Sequence, residues 1–236
     1  MTALNRNNYL NVVASCIVGL HTLEVDLGPD FEFFEKFSIA NLPERYEDGI
    51  FTPIEPFFFI FNIVALSLAV FAIAQLLPGI RDSPMIQDGV QHWYFITAVV
   101  HVLAYAVVGE DFEDFARNLF STMFFAVMAA CSWKILSNQA HAKSVDSSEE
   151  FWLLRVPFSL QAGWSICLTI MSANILVRDA EEGLNFGSFM EFLIVVFSLV
   201  LYAAIPIKML LFNGPSPNYV VSIMISLVTV SFCLTY

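Results

Sequence analysis

Long apolar runs, each near the length needed to cross a bilayer, alternate with short polar connectors along nearly the whole chain. Seven such runs stand out, at about 8–23, 54–77, 92–109, 116–137, 153–177, 187–211 and 217–235. A membrane-spanning helix needs roughly 20 mostly apolar residues, with about 17–25 tolerated, so the first and third runs are the short ones. Prolines punctuate the pattern. Pro53 and Pro56 open the second run, Pro78-Gly79 closes it, and Pro215 and Pro217 separate the last two. Each sits where a missing N–H or a fixed φ begins or ends a helix. Pro206 lies inside the sixth run and predicts a kink or a stop there. The pattern predicts an all-α integral membrane protein of about seven transmembrane helices, forming a single membrane domain over residues 1–236.

Composition agrees and narrows the function classes. Hydrophobic residues make up 58% of the chain, charged residues 14%, and the mean hydropathy is +0.70. That leaves no room for a separate soluble domain. The net charge of −12 excludes nucleic acid as a partner, since such a partner needs a basic surface. Cys16, Cys131, Cys167 and Cys233 are isolated and form no C-x-x-C pair. They read as small apolar residues rather than disulfide or metal ligands. Arg6 before the run Tyr9 to Leu20 has the outline of a signal peptide, but we read it as a retained first helix.

Charge is unevenly split between the two ends of the runs. Arg6, Arg81, Lys134, Lys143, Arg155 and Lys208 fall on the N-terminal side, and Lys36, Arg45, Arg117 and Arg178 on the other. The bias places the N-terminus on the cytoplasmic, stromal or matrix side. Most of the acids gather opposite, between Glu24 and Glu35, Glu44 and Asp48, Glu110 and Asp114, and Asp179 and Glu182. They form a solvated face or a docking surface for a basic partner, such as a membrane-complex subunit, or, on a sharper reading that lacks deep acid pairs, a surface for handling cations or protons.

Polar groups inside the runs carry most of the functional information, because lipid offers them no partner. Asn62 and His101 each lie about eight residues from the acidic end of their helices, roughly 12 Å deep at 1.5 Å per residue. Asn174 lies nearer that face, while Gln161 and Trp164 are deeper toward the other. Trp164 is too deep to be an interfacial anchor, so its indole N–H needs a partner inside the bundle. His101 could ligate the metal of a chlorophyll or haem, hydrogen-bond a ligand carbonyl, or tie two helices together. Trp93, Trp133 and Trp152 fall near helix ends and fit an interfacial belt. No phosphate loop, nucleophile elbow, metal-protease motif or intramembrane acid pair occurs, so the expectation is a protein that is not an enzyme. The last helix has no lysine for a retinal Schiff base.

The segment Arg155-Val156-Pro157-Phe158-Ser159-Leu160-Gln161-Ala162-Gly163-Trp164, followed by Thr169-Ile170-Met171-Ser172-Ala173-Asn174, resembles the fifth helix of the TspO/MBR family (translocator protein, tryptophan-rich sensory protein). Upstream, Ile50 to Phe61 is similar to the proline and aromatic opening of the family's second helix, and Phe71 to Pro78 to its end. The resemblance covers about residues 8–178. It implies a five-helix bundle there, lidded by the loop 24–52, with residues 187–235 adding two further C-terminal helices. The chain departs from the family in carrying Phe59 or Phe61 in place of a helix-two tryptophan. His101 and then Tyr105 stand where the family's third helix has asparagine and then tryptophan.

By that resemblance the function is binding of a flat hydrophobic ligand, a tetrapyrrole, sterol or carotenoid, or a membrane lipid, in a helix-bundle cavity. Phe58, Asn62, His101, Tyr105, Trp164 and Asn174 are the residues it implicates. The alternative is a non-catalytic accessory subunit of a large photosynthetic or respiratory complex. A thylakoid, mitochondrial inner or cell membrane would each fit the sequence.

Overall fold

The structure, a computed structural model, describes residues 5–23, 60–109, 114–142, 145, 147–184, 188–211, 220, 221, 223 and 225. Among them there is no strand. In chain order the helices are α1 (Arg6–Leu23), α2 (Ile60–Ala74), α3 (Trp93–Gly109), α4 (Asp114–Ala142), α5 (Val156–Leu184) and α6 (Ser188–Leu211). Helical residues at 220, 221, 223 and 225 fall within the last predicted run, and Val221 and Ile225 are buried in the common core. Among the described residues, two helices, Phe115–Ala142 and Ser148–Arg178, are long and apolar enough to cross a membrane. Ile60–Ala74 is a shorter apolar helix, and Trp93–Ala104 and Val196–Lys208 are apolar stretches within α3 and α6.

Helix α5 is the axis of the bundle. Phe158, Ala162, Trp164, Cys167, Leu168 and Met171 are all buried around its circumference. α4 packs along it most extensively, α2 and α6 flank it, and α3 lies against α4 and α1. Phe71 of α2, Tyr94 of α3 and Phe158 of α5 meet edge to face, with ring centroids 4.8–5.7 Å apart. The Tyr94 hydroxyl reaches Ser15 of α1 at 3.1 Å, so one aromatic cluster joins four helices.

The sequence places the start of the fifth helix at 153, with Pro157 in its first turn. The structure starts it earlier: a one-turn helix at Ser148–Glu150 runs through a π turn at Phe151–Arg155 into α5. Ser147 caps it, its hydroxyl accepting from the Glu150 N–H at 3.1 Å. Proline inside an α-helix removes one backbone bond and clashes with the carbonyl four residues before it. The wider π turn directly upstream relieves both, so the helix passes through Pro157 instead of beginning there. Pro206 behaves similarly in outcome, since α6 continues past it to Leu211.

Arg155 is not the loop charge that the sequence suggests. It is 6% exposed, and its Nη1 donates to the Leu136 carbonyl of α4 at 2.7 Å. In the other direction Gln139 of α4 donates through Nε2 to the Leu154 carbonyl at 3.0 Å. Each helix thus supplies a side-chain donor to a carbonyl of its neighbour, where no water would serve.

A second polar tie fastens α1 to the connector between α2 and α3. Gln87 donates through Nε2 to Asn8 Oδ1 at 2.8 Å and to the Arg81 carbonyl at 2.9 Å, while Asn7 Nδ2 donates to the Gln87 carbonyl at 3.0 Å. The connector's π turn, Met85–Val90, presses on α4 at Gly89, where an added Cβ would lie 2.6 Å from Gln139 Cγ and 3.1 Å from Gln139 Cα. Hydroxyls inside the helices are handled locally: Thr97, Ser121, Thr122, Ser159, Ser165 and Thr169 each donate to the carbonyl four residues back.

Two consequences can be measured by thermal unfolding of the detergent-solubilised protein. Gly89→Ala should destabilise by about 1–3 kcal/mol, because the clash includes backbone and disturbs Gln139. An unchanged melting temperature would show that the connector does not press on α4. Arg155→Met keeps much of the apolar stem but removes the charged hydrogen bond to the Leu136 carbonyl, and should cost about 1–3 kcal/mol. A neutral or stabilising result would mean that burying the guanidinium offsets the bond it makes.

Candidate ligand sites

Among the described side chains, Asn62, His101 and Trp164 do not share a cavity with Asn174. Phe58 lies outside the described residues. Tyr105 lies on α3, one turn beyond His101. Asn62 is exposed on the outer side of α2. It is the neighbouring Phe61, 3% exposed, that turns inward. His101, Trp164 and Asn174 are all buried.

His101 of α3 is 4% exposed and lies nearly parallel to Phe61 of α2, with ring centroids 5.8 Å apart and 25° between planes. The stacked rings join α2 and α3 at this point. Trp164 is 2% exposed at the heart of α5, among core side chains. Gln161, a turn before it, is buried, and its Oε1 has no hydrogen-bond partner among the described residues.

Asn174 belongs to a different site. α5 and α6 run antiparallel, and their register is held by two bonds. Ser198 Oγ donates to Asn174 Oδ1 at 2.7 Å, and the Tyr202 hydroxyl donates to the Cys167 carbonyl at 3.4 Å. Between the helices lies a crevice of about 480 Å³, lined by Thr169, Ile170, Ala173, Asn174, Val177, Leu193, Phe197, Ser198 and Leu201. Its walls are almost wholly apolar. Asn174 is 4% exposed, and with Oδ1 taken by Ser198 its Nδ2 has no hydrogen-bond partner among the described residues.

The sequence pattern of the TSPO-like protein family matches residues 10–230. The chain belongs to the TSPO-like family. The match does not stop at the end of the fifth helix but takes in α6 and the helical residues beyond it. No curated protein and no solved structure matches the chain. Together with the apolar helices, membership makes this an all-helical TSPO-like membrane protein.

Within this TSPO-like chain, sequence reading misses Phe61 as the inward partner of His101 and Ser198 as the partner of Asn174. For Ser198 the signal was present: it stands inside an apolar run that also carries Tyr202. Asn11 and Gln75 were also missed, and both are fully buried with neither end of the amide bonded among the described residues. Among the described residues no cluster of His, Cys, Asp and Glu could hold a metal ion. Trp152 is exposed, as an interfacial indole would be, whereas Trp93 and Trp133 pack partly against the core.

Proposed function

We propose that this TSPO-like membrane protein is a non-catalytic binder of a flat hydrophobic molecule, of the tetrapyrrole, sterol or carotenoid kind, held against α2 and α3. The observation that carries the reading is the stacked pair of His101 and Phe61. A polar ring inside an apolar bundle is a candidate for function, and here it stacks on a phenyl ring, a pairing of the kind that a flat aromatic ligand extends. By the resemblance, Phe61 or Phe59 stands where the family's second helix carries tryptophan. Binding would draw on apolar burial at about 25 cal/mol per Å², with the imidazole supplying orientation through a single polar contact.

The full chain in mild detergent can be titrated separately with protoporphyrin, cholesterol and β-carotene, following tryptophan fluorescence. At least one should bind. His101→Ala should weaken that ligand about three- to tenfold, the loss of one hydrogen bond. Asn62→Ala, changed on the outer side of α2, should leave it unaltered. Failure of all three to bind, or equal loss in both variants, would refute the site.

A further inference from the structure

We infer that the crevice between α5 and α6 is a second, lateral site, which holds one acyl chain of a membrane glycerolipid with its ester carbonyl on Asn174. The argument starts from hydrogen-bond capacity. Ser198 occupies the amide oxygen, so the free hydrogen-bonding group of Asn174, a residue that lines the crevice, is a donor, Nδ2. A buried amide N–H left unmatched costs free energy, and its natural complement is a group that accepts without needing to donate.

Depth selects among such groups. Asn174 lies one turn, about 6 Å, before Arg178, the first of the charged residues (Arg178, Asp179, Glu181 and Glu182) that follow the apolar run of α5 in the sequence. The amide therefore sits just inside the boundary between hydrocarbon and headgroup. The acceptors that the bilayer itself places at that level are the ester carbonyls of its glycerolipids.

Shape agrees. The lining runs from Thr169 to Val177 on one helix and from Leu193 to Leu201 on the other. Eight residues of rise make a channel about 12 Å long between two antiparallel helices. Ile170, Ala173 and Leu201 line its depth, and Val177, Leu193 and Phe197 stand exposed at its outer edge. Such a furrow suits a chain, and it opens to the side from which a lipid would come. The site needs α6 as one wall, and it is separate from the His101–Phe61 pair on α2 and α3.

The test uses the full chain in mild detergent and a pair of phosphatidylcholines with a spin label on one acyl chain. One member is ester-linked, and the other is its ether-linked counterpart, which lacks the carbonyls. The motionally restricted fraction reports occupancy. The ester lipid should bind about three- to tenfold more tightly than the ether lipid, the value of one hydrogen bond. Asn174→Leu should abolish that difference, and Ala173→Phe should remove the restricted fraction while leaving the Asn174–Ser198 bond in place. Because the ester-to-ether comparison is made on the unmodified protein, it stands even where a variant fails to fold. Equal binding of the two lipids, a restricted fraction that survives Ala173→Phe, or displacement of the lipid by equimolar cholesterol would overturn the proposal.

Discussion

The pair of crossed bonds between α4 and α5 is the interaction on which the arrangement of the bundle most depends. Arg155 reaches across to the Leu136 carbonyl and Gln139 reaches back to Leu154. In water either bond would contribute little, because solvent would serve both partners equally well. In an apolar interior the alternative is an unsatisfied group, so the two bonds fix which faces of the helices meet. The π turn at Phe151–Arg155 sits directly ahead of Pro157 and carries Arg155 at its end. Local backbone chemistry and helix pairing are thus settled in the same five residues. From there α5 takes the central position, with Phe158 locking to Phe71 and Tyr94, and the remaining helices assemble around it.

Polar residues elsewhere follow the same logic of finding partners across helices. Asn7, Asn8 and Gln87 knot the first helix to the connector. Ser198 and Asn174 set the register of the last described helix pair. Both ties join segments far apart in sequence, and both lie where apolar contacts alone would permit sliding. The second also leaves a donor without a partner among the described residues on a side chain that lines the crevice, so Asn174 both fixes helix register and brings a polar group to that site.

Much of the helix layout was legible in the sequence, because apolar runs of the right length bounded by proline and charge have few other structural outcomes. The start of the fifth helix was misjudged because Pro157 looks like an ordinary first-turn proline, and nothing in the local sequence announces a π turn. Arg155 read as a loop charge because its partner is a backbone carbonyl 19 residues away, which has no sequence signature. The candidate site was harder still. α2 is apolar around its whole circumference, so no amphipathic stripe tells Asn62 from Phe61, and one residue of rotation separates inside from outside. Asn174 was recognisable as an intramembrane amide, but its partner Ser198 lies on a helix outside the resemblance that drew attention to it.

The central claim is that this TSPO-like bundle retains a hydrophobic small molecule as an independent binder. Gentle purification from the native membrane, with a visible absorption spectrum, extraction of bound small molecules and a mass-spectrometric protein inventory, tests it most directly. The account predicts a tetrapyrrole, carotenoid or sterol at close to one per chain, with no other polypeptide in fixed ratio. A protein free of such a ligand, accompanied by a constant set of membrane-complex subunits, would contradict it and make the chain a scaffold.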